Sequence, residues 1–269
     1  MKNLILIVFL MPLMSLAQNV FNNSLDEGLV SYYPFLLNAN DMIGENNGVL
    51  SNNVTETSDR FGVGNAALSF NSFSTTLPCE YSYIDIENQL INLTDDFSIS
   101  IWINTSEPTT NDQTLFNSIN HDDGFSLTYS YNSNQTLGLW IGNGNSWESS
   151  ANYGDLLINS DWNHVVFRKS SLNYCVYVNG EKDIDVTLSN VIIEDTSVGV
   201  RIGAIHNDSD SDACGAGFIG SLDDFGVWNR ALTDLEIEEL YNIQSTSSEY
   251  FQDEEESNTT PIIGDVNCD

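Results

Sequence analysis

Residues 217–242 read GFIGSLDDFGVWNRALTDLEIEELYN, and they contain two different periodicities. Strict alternation over the first half places side chains on two faces of a strand: Ile219, Ser221, Asp223, Phe225 and Val227 on one, and Phe218, Leu222, Asp224 and Trp228 on the other. Large apolar groups occur on both faces. We therefore expect a central strand, covered on both sides.

The second half of this stretch changes to roughly helical spacing, from Leu232 to Tyr241. Thr233 and Glu236 stand three residues apart, as in a capping box, where each side chain bonds the other residue's backbone N–H. The pattern predicts a short helix over residues 233–241, directly after the strand.

Asp223 and Asp224 are adjacent acids inside an otherwise hydrophobic strand. A buried carboxylate without a partner is costly, so these two side chains require one. A bound cation or backbone amides would both supply it.

The N-terminus carries Met1 and Lys2, then an apolar run over residues 4–13, then Ser15-Leu16-Ala17. This order predicts a secretory signal peptide over 1–17, cleaved between Ala17 and Gln18. The run is shorter than the ~20 residues of a membrane-spanning helix, and no later run is longer, so no membrane span is expected after cleavage.

The composition is strongly acidic, with 7 Lys and Arg against 39 Asp and Glu and a formal charge of −32. Nucleic-acid binding depends on clustered Lys and Arg, so a nucleic-acid partner is excluded. The same balance argues against anionic lipid or acidic polysaccharide.

Four cysteines, Cys79, Cys175, Cys214 and Cys268, occur in a chain predicted to leave the reducing cytosol. Three full pairings are open. Cys79 and Cys214 adjoin Pro78 and Gly215, as loop residues do, whereas Cys175 lies in a strand-like run. We expect a Cys79–Cys214 disulfide and a buried Cys175 thiol.

Short β-rich runs separated by Asn, Gly, Asp and Ser clusters continue along the chain and predict an antiparallel sandwich or barrel. Asn179-Gly180 predicts a tight hairpin turn, because both residues tolerate positive φ. The runs predicted as strands are 30–35, 67–70, 83–86, 97–104, 113–119, 125–131, 137–141, 163–169, 173–178, 200–204 and 218–228.

An ordered set of motifs resembles the laminin-G-like jelly rolls of the concanavalin-A-like lectin and glucanase group. The set is LVSYYPF (29–35), ALSFN (67–71), YIDI (83–86), FSISIWI (97–103), DWNHVVF (161–167), YVNGE (177–181), and GSLDDF (220–225) through NRAL (229–232). The resemblance implies an all-β fold over residues 18–243: a two-sheet antiparallel jelly-roll sandwich with one short C-terminal helix. It also implies that Trp102 and Trp162 are core aromatics.

The Gly- and Asn-rich turn that begins at Asp41 stands where this family often has a calcium-binding loop. Calcium takes six to eight oxygen ligands, which Asp41, carbonyls at Gly44 and Asn47, and Asp223 or Asp224 would provide. Such a calcium ion would stabilise the fold by joining the first loop to the last strand. The alternative is an ordinary surface turn, with the aspartates accepting backbone amides.

The stretch 143–154 places Trp147 and Tyr153 in a polar setting that predicts an exposed loop. Exposed rings beside polar groups suit a neutral glycan, because its C–H face stacks on a ring while amides bond its hydroxyls. Asn143 and His121 are candidate polar partners. Alternatively, Trp147 covers a sheet edge.

No catalytic constellation is found in the sequence. Glucanases of the resembled group carry three alternating carboxylates on one strand, whereas Asp85 and Glu87 lack the third. His121, His164 and His206 lie outside any Ser/His/Asp motif context, so we expect no enzymatic activity.

Residues 244–269 predict an acidic linker and a truncated tail, whose GDVNCD end resembles the opening of a calcium loop without its closing ligand.

Two functions stay open. One is a secreted carbohydrate-binding or adhesion module, and the other is a spacer or protein-interaction domain of a larger cell-surface protein.

Overall fold

The structure is a computed structural model that describes residues 21, 23–51, 53–71, 81–105, 113–118, 124–129, 135–142, 147–158, 160–188, 197–205 and 217–246. The predicted signal peptide and the tail after residue 246 lie outside this set. Cys79, Cys214 and Cys268 do as well, so the predicted disulfide stays a prediction. Cys175 is a buried free thiol, as expected.

The described residues form fifteen strands and one α-helix. In chain order they are β1 (Leu29–Tyr33), β2 (Val49–Leu50), β3 (Val54–Thr57), β4 (Ala67–Asn71), β5 (Ile84–Asn92), β6 (Phe97–Asn104), β7 (Gln113–Ser118), β8 (Phe125–Tyr129), β9 (Leu137–Gly142), β10 (Trp147–Tyr153), β11 (Trp162–Ser170), β12 (Asn173–Val178), β13 (Glu181–Thr187), β14 (Ser197–Ile202), β15 (Ile219–Trp228) and α1 (Asp234–Thr246).

Two antiparallel sheets contain these strands. The first sheet has the order β13-β12-β11-β6-β15-β4-β3, with β1 also paired to β15, and the second has the order β10-β9-β8-β7-β14-β5-β2. Every run predicted as a strand overlaps an observed strand, and the predicted all-β, two-sheet class is confirmed. Strands β2, β3, β10 and β13 were not predicted.

The main core lies between the inner faces of the two sheets. On β6, Phe97, Ile99, Ile101 and Ile103 alternate inward. The sheets meet through aromatic pairs such as Phe116 with Phe225 and Phe97 with Phe125, whose ring centroids are 5.9 and 5.6 Å apart. Tight face-to-face packing of this kind is how a sandwich buries its apolar faces.

Helix α1 covers the outer face of the first sheet and forms a second core. Ile237 and Leu240 of the helix join Val166, Tyr177 and Trp228 of the sheet in one buried cluster. The predicted capping box is confirmed, because Glu236 N donates to Thr233 Oγ1 at 3.2 Å and Thr233 N donates to Glu236 Oε2 at 2.8 Å. The central strands β6 and β15 of the first sheet are therefore buried on both faces over most of their length.

The helix runs to Thr246, five residues beyond the predicted end. Its last turns dock on the sheet through Trp102, whose Nε1 donates to Gln244 Oε1 at 2.9 Å. Trp102 is thus buried under the helix rather than between the sheets, and Trp162 is only partly buried. The implied role of Trp162 as a core aromatic is wrong, and Trp102 belongs to the helix contact.

Strand β15 is central, as predicted, but its alternation is interrupted. Asp223 pairs with Trp102 while Gly226 pairs with Ser100, so β15 holds one extra residue, and Asp224 has φ 48°. This β-bulge reverses the phase of the strand. Leu222 and Phe225 consequently share the inter-sheet core, whereas strict alternation placed them on opposite faces.

The predicted tight turn at Asn179-Gly180 is confirmed, since the two residues have φ values of 51° and 82° at the turn between β12 and β13.

Within the described residues, no helix combines the length and apolar character that a bilayer crossing requires.

Substitution of Phe225 tests this core. Phe225→Ala removes a fully buried ring after the bulge, and we expect it to lower the free energy of unfolding by about 3–5 kcal/mol in urea denaturation. The control Leu235→Ala changes a side chain that is 76% exposed. Its free energy of unfolding should stay within about 0.5 kcal/mol of that of the unsubstituted protein. Equal effects of the two variants would contradict the placement of Phe225 in the core between the sheets.

Candidate functional site

The two aspartates of β15 are partnered by Arg60, which lies in the turn between β3 and β4. Arg60 Nη1 contacts Asp223 Oδ2 and Nη2 contacts Asp224 Oδ2, each at 2.6 Å. The Tyr32 hydroxyl donates a further hydrogen bond to Asp224 Oδ1. We call Arg60, Asp223, Asp224 and Tyr32 the Arg60 cluster. The acids' partner is therefore a side chain that the sequence analysis did not identify.

The Arg60 cluster is a buried ion-pair network. The side chains of Arg60, Asp223 and Asp224 are only 6%, 4% and 9% exposed. Burial raises the pKa of Asp223 well above its usual range, the charge of Asp224 raises it further, and Arg60 opposes both. The ionised state of Asp223 thus depends on the guanidinium.

Arg60 also binds helix α1. Its Nε donates to the backbone oxygen of Gln244 at 2.8 Å, and its guanidinium lies 4.6 Å from the ring centroid of Trp102. Tyr241 stacks on the same indole at a centroid distance of 5.9 Å. One side chain therefore holds the β3–β4 turn, strand β15 and the end of the helix together.

The Asp41 carboxylate closes its own turn. It accepts four hydrogen bonds, from Ser31 Oγ, Tyr32 N, Ile43 N and Asn46 N. Asn47 Oδ1 accepts from Asp41 N at 2.9 Å, and a Cβ on Gly44 would lie 2.7 Å from Asp41 Oδ2, so the turn requires glycine there.

The proposed calcium ligands all have protein partners or positions in this turn. To bind calcium, Asp41 would have to give up the hydrogen bonds that it accepts from backbone amides. Asp223 and Asp224 would have to give up their contacts with the Arg60 guanidinium. In the part of the chain that the structure describes, no three His, Cys, Asp or Glu residues are grouped as metal ligands. The residues fit hydrogen bonding better than they fit a calcium site, and calcium binding stays a prediction.

His164 and Ser100 form a buried pair on the outer face of the first sheet. Ser100 Oγ lies 2.7 Å from His164 Nε2, while His164 Nδ1 has no hydrogen-bond partner. Burial, aided by the charge of Arg60, lowers the pKa of His164 to about 3. A catalytic triad places an acid at Nδ1, and this His164 nitrogen has none among the described residues.

The outer face of the second sheet carries a polar row. Cross-strand pairing places Asp85 opposite Arg201, Arg201 opposite Asn117, Asn117 opposite Ser126, and Ser126 opposite Trp140. Their sequence neighbours, such as Ile84 and Leu139, lie in the inter-sheet core. At about 4.8 Å per strand the row spans about 19 Å. We call these five residues the outer-face row.

One end of the outer-face row is a locked ion pair. Arg201 Nε and Nη2 contact the two Asp85 oxygens at 2.7 and 2.8 Å, and Nη1 donates to Ile205 O at 3.3 Å. The guanidinium also lies 4.1 Å from the Tyr83 ring centroid. Both oxygens of Asp85 are consequently held by Arg201.

The other end of the row is aromatic. Trp140 is partly buried, and Tyr153 is 39% exposed on the adjoining strand β10. Tyr153 pairs with Gly138, where an added Cβ would lie 3.0 Å from Tyr153 Cε1 and 2.8 Å from Thr128 Oγ1. Glycine therefore lets the Tyr153 ring lie close over the sheet.

The predicted ligand residues are only partly brought together. Residues 147–153 form an edge strand, so the prediction of a loop is wrong, whereas the predicted exposure of Tyr153 is confirmed. The Trp147 side chain, His121 and Asn143 lie outside the described residues. Trp140 was missed, although its position between inward-facing Leu139 and Ile141 signals an outward ring.

Every described cation is engaged within the protein. The pairs are Arg60 with Asp223 and Asp224, Arg168 with Asp234, Lys182 with Asp185, Arg201 with Asp85, and Arg230 with Glu236, while Lys169 donates to the carbonyls of Thr94 and Asp95. The seventh basic residue, Lys2, precedes the described residues.

Comparison with known proteins identifies the family. The sequence matches the family described as the concanavalin A-like lectin/glucanases superfamily over residues 79–238, which is more than half of the chain. A search of curated proteins gave no match.

Solved structures share the fold. Domain 4 of AbnA, a GH43 extracellular arabinanase from Geobacillus stearothermophilus in complex with arabinotriose, has 19% identity and a TM-score of 0.57, covering 79% of this chain and 98% of its own. The receptor binding domain of botulinum neurotoxin C/D mosaic serotype has 17% identity and a TM-score of 0.59, with coverages of 81% and 51%. The binding domain of Paraclostridial Mosquitocidal Protein 1 has 19% identity and a TM-score of 0.60, with coverages of 82% and 53%. The chain thus spans about half of these two binding domains.

Removal of Arg60 tests the ion-pair cluster. Arg60→Met leaves two buried carboxylates unpaired, and we expect a loss of about 3–5 kcal/mol in the free energy of unfolding at pH 7. Arg60 lowers the pKa of Asp223, so its removal raises that pKa further above the value in the unfolded state, and the variant gains more stability than the original protein when this carboxyl is protonated. Acidification through that pKa should therefore shrink the deficit of the variant.

The control for this experiment is Lys182→Met. Lys182 and Asp185 form a pair with 34% and 52% exposed side chains, so its loss should cost less than about 1 kcal/mol. A small Arg60→Met deficit, or one that does not shrink in acid, would refute the assigned role of Arg60.

Proposed function

Because the chain belongs to the concanavalin A-like lectin/glucanase superfamily, we propose that it is a secreted, non-catalytic carbohydrate-binding or adhesion module for neutral glycans. The observation that carries this proposal is the outer face of the second sheet, where polar side chains extend toward Trp140 and the exposed Tyr153. An aromatic face stacks on sugar C–H groups while amides and hydroxyls bond its oxygens. The similar domain 4 of AbnA is in complex with arabinotriose, which is consistent with a neutral ligand.

The charge distribution supports a neutral rather than an acidic glycan. Recognition of carboxylate or sulfate groups relies on Arg and Lys. Each described Arg and Lys already bonds a group of the protein itself, and the whole chain carries a formal charge of −32. An acidic sugar would meet repulsion without a cation to offset it.

Two arrangements support a non-catalytic role. Asp85, the first carboxylate of the partial glucanase-like pattern, is held bidentately by Arg201. His164 and Ser100 are buried under α1, and His164 Nδ1 has no acidic partner. Neither arrangement supplies a proton donor and a nucleophile about 5 Å apart, as retaining glycosidases require.

Secretion is proposed from the N-terminal sequence. A positive residue, an apolar run and a small-residue site in that order are typical of a signal peptide. The destination would be the extracellular medium or the cell surface, where the acidic surface keeps the protein soluble.

A protein-interaction domain is the second candidate. It is favoured by the fold similarity to the receptor binding domain of the botulinum neurotoxin and by the acidic stretch after the helix. A receptor with a cationic surface would suit the negative charge of the chain.

A glycan array tests the proposal. We expect binding to at least one neutral oligosaccharide, with arabinotriose in the panel. Tyr153→Ala and Trp140→Ala should weaken that binding about tenfold, since each removes a stacking ring. Leu235→Ala, on the far side of α1, is the control and should bind normally. If the unsubstituted protein bound no neutral glycan on the array, the protein-interaction alternative would be favoured.

Calcium titration tests the predicted metal site. Chelator-treated protein should release heat and gain melting temperature on calcium addition if Asp41, Gly44, Asn47, Asp223 and Asp224 ligate the ion. Asp41→Asn should abolish the calcium-dependent part, whereas Glu181→Gln at an exposed edge should not. The absence of both heat and melting shift would exclude the site.

A further inference from the structure

The first described residue, Phe21, is already built into the fold. It is 7% exposed, and its ring centroid lies 5.8 Å from that of Tyr32 and 6.1 Å from that of Trp228. Its backbone N donates to Asp26 Oδ1 at 2.9 Å. Phe21 is thus anchored by both its side chain and its backbone, and only residues 18–20 separate it from the predicted cleavage point.

The segment that follows Phe21 is held by the last strand and the residues after it. Trp228 Nε1 donates to Leu25 O at 2.7 Å, and Arg230 Nε donates to Glu27 O at 2.7 Å. A signal peptidase that cut beyond Phe21 would remove part of this packing. Cleavage at the predicted point leaves all of these contacts intact, so the fold is compatible with a mature chain that starts there.

Cleavage at the predicted point makes Gln18 the first residue. A terminal glutamine carries an α-amine and a γ-carboxamide in the same residue, at a separation that allows a lactam ring to close. A terminal α-amine is partly unprotonated near neutral pH, which leaves it nucleophilic. Holding the two reacting groups in one residue greatly raises their effective concentration. The ring closure needs no oxidant, reductant or co-reactant.

We propose that the mature N-terminus is a modification site, at which Gln18 cyclises to pyroglutamate. The α-nitrogen attacks the γ-carboxamide carbon, and a new C–N bond closes the lactam. The bond from that carbon to the amide nitrogen breaks, and ammonia leaves with the proton that the amine gives up. The inference rests on the proposed secretion, because only removal of residues 1–17 gives Gln18 a free α-amine.

The modification changes the chemistry of the chain terminus. Conversion of the α-amine to a lactam amide removes the positive charge of the terminus. It also removes the free amine that aminopeptidases recognise. The mature chain is then protected from stepwise degradation up to Phe21, where the packing on Tyr32 and Trp228 begins.

Mass spectrometry of the exported full-length chain tests the inference. Hydrolysis before Asp26 releases an N-terminal peptide of residues 18–25, which contains Gln18 but no Asn-Gly pair that would lose ammonia by its own cyclisation. We expect this peptide to weigh one ammonia less than the unmodified sequence and to be unreactive toward an amine reagent. In the control variant Gln18→Ala, the same peptide should have its unmodified mass and react fully.

Aminopeptidase digestion provides a second readout. In the Gln18→Ala variant, the enzyme should remove residues 18–20 and slow at Phe21, because the backbone N–H and the ring of Phe21 are engaged in the fold. The unsubstituted protein should lose no residue. Equal trimming of the two proteins would contradict the proposed cyclisation.

The outcomes separate the modification from the proposed secretion. If the exported chain starts at Gln18 with a free amine, secretion stands and cyclisation is refuted. If the exported chain starts at another residue, secretion again stands, and Gln18 is not the modified terminus. If the chain keeps residues 1–17 and is not exported, the proposed secretion fails and the modification fails with it. Loss of ammonia from the N-terminal peptide of Gln18→Ala would refute the assignment to Gln18.

Discussion

The salt bridges from Arg60 to Asp223 and Asp224 are the constraint on which the outer half of the first sheet depends. Strand β15 pairs with β4 as far as Leu222 and with β1 from Phe225, so the two acids fall between these pairings. The bulge gives Asp224 a positive φ of 48° at this point. Burying two adjacent carboxylates is tolerable only with a cation and hydrogen bonds in place, and Arg60, Tyr32 and the Asp224 amide provide them.

The outer faces of the two sheets differ in what covers them. The first sheet is covered by α1, which bonds to Arg60 and Trp102 through Gln244, so its outer face is committed to stability. The second sheet has only one face in the main core. Its other face carries the buried side chains of Asn117 and Ser126 and the partly buried Trp140. If the proposed glycan binding is correct, the second sheet would carry it, while the outer face of the first sheet is occupied by the helix.

The sequence predicted the features that depend on residues close to one another in the chain. The capping box of Thr233 with Glu236 and the turn at Asn179 depend on residues a few positions apart, and both are confirmed. Arg60 was not predicted as the partner of Asp223, because the two are 163 residues apart and no periodicity connects them. The bulge was missed for a related reason: an extra residue in a strand changes no composition, yet it moves every later side chain to the other face.

The outer-face row shows the same limit at the candidate site. Alternation on β9 indicates that Trp140 points away from the core, but the alignment of Trp140 with Asn117 and Asp85 depends on cross-strand register, which pairing alone establishes. Because the Lys and Arg side chains of the described residues are bonded internally, attraction of the proposed glycan to this row would come from stacking and hydrogen bonds rather than from long-range charge. Such contacts are little affected by salt, whereas a cationic protein partner would be drawn to the acidic surface by forces that salt screens. The salt dependence of binding thus distinguishes the two candidate functions more sharply than the fold does.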